Sequence, residues 1–285
     1  MPIELNTLPA PAATNKTAHL GRRALLGVGL LAIMTMASGG LIYSTTESGE
    51  AIASDADAAR RLALLSKVTS WSLEPRIDAL RATTVPPDVL LVFEADVIAK
   101  LDVSAVRNLL EERDRTDETA RQLLVTALSL SQSAQLDGLL VRGLDGVFLD
   151  ARSALQTALA AGSRAINDLA GKIVLLANQA RLYNPDFILI LHNAAELTTD
   201  PRIARVIDGA AQDNLLYGLD GPGVANSANE VAVALHDLNR VKRSGRLVFI
   251  AEILPAGAEG ARAIARRKLA ELGFVARIAE PKKPS

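Results

Sequence analysis

A chain of 285 residues, 49% of them hydrophobic, has ample apolar surface for a large buried core, and a formal net charge of −1 leaves no basic stripe for a nucleic-acid backbone. The absence of cysteine excludes a disulfide framework, a thiolate metal site and a lipobox anchor. Three histidines scattered at His19, His192 and His236 make no His-rich metal centre, and 3% aromatic residues are few for a sugar-stacking surface. No metal, cofactor or nucleic-acid partner is expected.

The N-terminus reads as an address. Ala24 to Tyr43 carries no charge; Lys16, Arg22 and Arg23 precede it, and Glu47, Glu50, Asp55 and Asp57 follow. The positive flank belongs on the cytoplasmic side, which places the bulk of the chain outside. An apolar run of about 20 residues suits both a cleaved signal and a retained spanning anchor, and both readings stand. Arg22-Arg23 ahead of a glycine-containing apolar run resembles a twin-arginine export signal. Residues 1–23 read as a disordered n-region, 24–43 as signal core or membrane anchor, 44–57 as a polar linker and 58–285 as one domain. The expected location is extracytoplasmic, periplasmic or secreted, with membrane attachment only if residues 24–43 are retained.

From there strand-like apolar runs alternate with helical patterns. Candidate strands cover residues 68–73, 89–94, 123–130, 146–150, 187–193, 247–254 and 274–278, with the sixth in chain order contained within 209–217. Amphipathic helices are clearest at about 153–182, 226–243 and 257–272, the last stopping at Leu272-Gly273. Continuous rather than alternating apolar runs indicate strands buried on both faces. Eight such units in about 235 residues suggest a closed (β/α)8 barrel. No G-x-G-x-x-G follows a strand, which argues against a dinucleotide-binding sheet.

In such barrels the chemistry gathers at the C-terminal ends of the strands. Those ends carry Glu94, then Gln132, Asp150, His192 with Asn193, Asp213 followed by Tyr217, and Glu252. Charged groups closing apolar strands are costly unless they face a polar cavity or a partner. Paired carboxylates are what glycoside hydrolysis needs, one to protonate the leaving oxygen and one to attack the sugar or activate water. A strand-terminal Asp serves equally as a helix cap. Trp71, the one tryptophan, reads as packing rather than a sugar platform.

Gly143-Leu-Asp-Gly-Val-Phe-Leu-Asp150 resembles the G-F-D-G-V-Y-L-D segment of the endo-α-1,4-polygalactosaminidase-like barrels, glycoside hydrolase family 114 and relatives. Ser70-Trp71, Leu90 to Glu94, Asn184 to Asn193, Ile207 to Tyr217 and Leu272 to Phe274 are similar to the family's other strand segments in the same order, over residues 68–278. The resemblance implies a (β/α)8 barrel that hydrolyses a galactosamine-containing exopolysaccharide outside the cytoplasm. Asp150 falls at the nucleophile-like carboxylate and Asp213 at the acid/base position. Glu94, Gln132, His192, Asn193, Tyr217 and Glu252 then fall to substrate binding.

The chain departs from the family at several of these positions. Gln132 stands where the family has Glu, Asp213 is one methylene shorter than the family's Glu, Glu94 replaces Asp, and His192 replaces Gln. The segment from Leu130 to Gly146 has no room for the family's aromatic insertion. The alternative reading is therefore a catalytically reduced homologue that binds a glycan or an envelope partner without cleaving it.

Overall fold

The computed structural model describes residues 55–73, 88–113 and 123–281. Eight parallel strands follow one another around a single sheet in chain order: β1 Ser70–Leu73, β2 Val89–Glu94, β3 Leu124–Ser129, β4 Gly146–Asp150, β5 Ile188–His192, β6 Gly209–Asp213, β7 Leu247–Ile253 and β8 Val275–Ala279. β8 comes back beside β1. Among the described residues no ladder joins these two, and Arg277 reaches across the seam to lie 5.5 Å from the Trp71 ring centroid. The result is a nearly closed (β/α)8 barrel, as the apolar runs led one to expect.

The continuous apolar runs serve two cores at once, because successive side chains leave opposite faces of a strand. Trp71, Leu90, Val92, Val125, Phe148, Ile188, Ile190, Ala211 and Phe249 fill the lumen. Trp71 stacks on Phe148 at 5.3 Å and meets Phe249 edge-on at 6.4 Å, so the tryptophan is a packing residue. The alternate positions, among them Leu91, Phe93, Val147, Leu149, Leu189, Leu191 and Ile250, lie under the helices.

Those helices are α1 Asp55–Leu65, α2 Ala95–Lys100, α3 Val103–Arg113, α4 Leu136–Leu140, α5 Arg152–Ala161, α6 Ser163–Tyr183, α7 Pro201–Val206, α8 Ala228–Arg243 and α9 Glu259–Glu271. The stretch read as one helix over 153–182 is two. Gly162 has φ +98°, its N–H closes α5 on Ala158, and the chain restarts as α6. Strand β6 lies within the expected 209–217 and ends at Asp213, because Asn214 turns out of the sheet at φ +56°. α8 starts where a capping box fixes it, with Ser227 and Glu230 each accepting from the other's backbone N–H. α1 opens at Asp55, so the last residues of the expected linker are helical. The expected signal or anchor at 24–43 lies outside the described residues. Among the described residues no helix is long and apolar enough to cross a membrane.

Two strands share a local design. β4 is entered through Asp145-Gly146 and leaves at Asp150; β6 is entered through Asp208-Gly209 and leaves at Asp213. In both, the lower aspartate accepts the backbone N–H of the preceding strand, Leu124 for Asp145 at 2.8 Å and Leu189 for Asp208 at 2.9 Å. Both are paired with arginine: Arg107 with Asp145, and Arg61 and Arg181 with Asp208. Both glycines sit where a side chain would strike the next strand, 2.4 Å from the Ile188 carbonyl oxygen at Gly146 and 2.9 Å from that of Leu247 at Gly209. The repeated D-G-x-x-x-D thus fixes register at the floor and delivers an aspartate to the mouth.

Candidate active site at the barrel mouth

The two upper aspartates of that repeat stand on either side of β5. Register places Asp150 beside His192, and β5 beside β6. The chain leaves β5 through Asn193 in the left-handed region, φ +56°, a conformation asparagine tolerates better than most residues. There Asn193 Nδ2 donates to Asp150 Oδ2 at 3.2 Å and to Asp213 Oδ2 at 3.1 Å, while its Oδ1 accepts the Asp213 backbone N–H at 2.9 Å. His192 lies between the same carboxylates, with Nε2 3.0 Å from Asp213 Oδ1 and Nδ1 3.8 Å from Asp150 Oδ2.

The environments of the two acids differ. The Asp150 side chain is 38% exposed, that of Asp213 28%. Asp150 Oδ1 accepts the backbone N–H of Arg152 at 2.9 Å, so this aspartate anchors the start of α5 with one oxygen and faces the mouth cluster with the other. Burial alone would raise Asp213. The His192 hydrogen bond and charge, the Asn193 amide and the Arg152 charge outweigh it and hold Asp213 below the usual carboxylate range.

The structure therefore brings together Asp150, His192, Asn193 and Asp213. Glu94 closes β2 on the lumen-facing side, two strands around from Asp150. Gln132 is exposed and turned back on its own strand end, where its Oε1 accepts from the Ser129 backbone N–H at 3.2 Å and hydroxyl at 2.8 Å. Tyr217 packs against the helix-side core. Glu252 also faces that side, sealed from solvent. Its carboxylate accepts the backbone N–H groups of Leu216 at 2.7 Å and Tyr217 at 3.2 Å, and so ties down the loop after β6. Burial pushes Glu252 up to about 7 against the lowering effect of those bonds. Arg152 had no mark in the sequence beyond its place after a strand-terminal Asp; the repeated D-G-x-x-x-D was the signal that could have paired Asp150 with Asp213. Among the described residues no three His, Asp or Glu side chains are grouped to hold a metal ion.

The fold, eight parallel strands in chain order with helices outside, is shared with solved structures. The glycoside hydrolase domain of PelA from Pseudomonas aeruginosa superposes with a TM-score of 0.56 at 15% identity, over 75% of this chain and 94% of that domain. A variant of the same domain superposes at 0.53 with 16% identity and the same coverage. In sequence, an uncharacterized protein of Deinococcus radiodurans is 32% identical over 138 residues, 46% of this chain and 43% of that protein. The chain thus spans less than half of this curated relative's length. No family model matches the chain.

Proposed function

We propose that the barrel mouth is the active site of an extracytoplasmic glycoside hydrolase acting on a galactosamine-containing polysaccharide. One observation carries the reading: two carboxylates from strands of the same local design, Asp150 and Asp213, converge on a single amide nitrogen of Asn193. Their nearer oxygens can be no further apart than those two bonds laid end to end. The two carboxylates thus face one shared point, and we take retention, the outcome of closely spaced pairs, as the stereochemistry to test.

The roles follow from the surroundings. Asp213, held ionised, attacks the anomeric carbon. Asp150 is left with the acid/base role: it protonates the leaving oxygen and later takes a proton from the attacking water. The family resemblance implies the reverse assignment; the exchange rests on the groups that keep Asp213 charged. Glu94 adds negative charge suited to a cationic amino sugar. Delivery outside the cytoplasm rests on the apolar run at 24–43 and its flanking charges. The likeness to the PelA domain supports the choice of a glycosidase among barrel enzymes, although fold alone does not fix chemistry.

A second reading, a non-cleaving barrel that binds a glycan or an envelope partner, is favoured by Gln132, whose amide is engaged by Ser129 where the family has an acid. Incubation of the protein with de-acetylated galactosamine-rich polymer separates the two. The hydrolase releases reducing ends, and Asp150→Asn abolishes them. Polymer binding without any reducing ends would sink the hydrolase reading.

A further inference from the structure

The loop from Asn214 to Asn226, which leaves β6 directly after Asp213, is held by ties of two kinds. The first are neutral. The Asn214 N–H donates to the Ala251 carbonyl at 2.7 Å, the Gly218 N–H to Val224 at 2.8 Å and the Asn226 N–H to Leu216 at 2.9 Å. Asn226 Nδ2 donates to the Asn214 and Leu215 carbonyls at 2.7 and 2.9 Å, and the side chains of Leu215 and Leu216 are buried. The strength of these ties does not depend on pH. Glu252 of β7 supplies a tie that does. It is 0% exposed, and its two oxygens accept the successive N–H groups of Leu216 at 2.7 Å and Tyr217 at 3.2 Å. The charge that acts on it is Asp213 of β6, of like sign. Ile278 stands opposite on β8. Arg262 of α9 donates to the Leu254 and Pro255 carbonyls and to Glu280, with Glu259 beside it. On α8, Glu230 is engaged in its capping box with Ser227.

A sealed carboxylate beside a like charge is tolerated when neutral and costly when ionised. We propose that Glu252 is a pH-sensitive latch on the β6–α8 loop: protonated, it holds Leu215 to Tyr217 against β7, and ionised, it favours their release into water. Burial, with the Asp213 charge adding to it, pushes Glu252 up to about 7 against the lowering effect of the loop N–H groups. Once the loop opens, the carboxylate is hydrated and returns toward its ordinary 4.5. The closed loop therefore gains most below about pH 4.5, and the gain is lost as pH rises through about 7. The neutral ties and the two buried leucines set a closure that persists at every pH, and Glu252 adds the part that titrates. The latch stands on these contacts alone. Its effect on catalysis, an Asp213 less firmly placed in alkali, rests on the hydrolase reading above.

Amide hydrogen exchange on the full chain, followed by NMR, tests the latch without any substrate. After correction for the intrinsic base-catalysed rate, the Leu216 and Tyr217 amides are expected to lose protection by on the order of 50-fold between pH 5 and 8. The opening that exposes them is expected to be local: low urea leaves their exchange unchanged while it speeds exchange from Leu191 in the core of β5. Glu252→Gln, neutral at every pH, is expected to keep the same protection at both pH values. If that variant does not fold, the parent chain decides. Protection at Leu216 and Tyr217 that does not change with pH, or exchange there that follows the urea-dependent unfolding seen at Leu191, overturns the latch. A loop that releases in a chain that cleaves no galactosamine polymer supports the latch and overturns the hydrolase reading. A chain that cleaves the polymer with a loop that does not release overturns the latch and leaves the hydrolase reading intact.

Discussion

Asn193 places every polar atom of its side chain on its neighbours, two carboxylates and one backbone N–H. It therefore sets the spacing of the two carboxylates. Asn193→Gly keeps the left-handed backbone and removes the clamp. A misplacement of about 1 Å costs on the order of 100-fold in rate, so kcat should fall by about that factor while KM changes little. Glu252 has a different consequence. Its folded value near 7 lies above the ordinary 4.5, so the folded state holds a proton that the unfolded state releases. Stability from this group is full below about pH 4.5, declines as pH rises to about 7, and then stays lower, by up to about 3 kcal/mol. Thermal unfolding of Glu252→Gln between pH 5 and 8 should lack that decline relative to the parent chain; identical slopes would refute it. Gln132 only accepts hydrogen bonds from Ser129, so Gln132→Glu should leave the melting temperature within a few degrees and can be combined with Asp213→Glu to ask whether the family's acids raise the rate.

At the level of elements, much was legible because it depends on composition and local turns. Eight apolar runs gave eight strands, and Leu272-Gly273 ended α9 as read. The break at Gly162 was missed because the apolar periodicity continues through it, whereas the stop is set by one positive φ. Where β6 ends within 209–217 was not legible, because Leu215 and Leu216 are as apolar as a strand; they are buried in the loop that Glu252 holds, not in the sheet. At the mouth, the two aspartates were legible from their strand-end positions. The bracket formed by His192 and Asn193 was not, because it depends on strand register and on the turn after β5. The floor glycines offer an element-scale test. Gly146→Ala puts a methyl 2.4 Å from a backbone oxygen that cannot rotate away. The loss should be about 1–3 kcal/mol or more in urea unfolding, with Gly138→Ala, in open space, as the tolerated control.

Across the whole molecule, the geometry of the mouth depends on closure at the floor. Arg61 of α1 is almost wholly buried, donates to Asp208 and to the Pro185 carbonyl, and shares Asp208 with Arg181 from α6. The same aspartate holds the Leu189 N–H at the base of β5, the strand that presents His192. Asp208→Asn leaves two buried guanidinium groups without their counter-charge, a loss of about 3–5 kcal/mol that a lowered urea midpoint would show. The central claim concerns the other end of the barrel, where Asp150 and Asp213 act as a close carboxylate pair. It is tested most directly by following the anomeric configuration of the first sugar released from a galactosamine polymer by proton NMR, in the parent chain and in Asp150→Asn and Asp213→Asn. The expected result is a product of retained configuration from the parent chain and loss of release in both variants. An inverted product, or undiminished release from either variant, would contradict it.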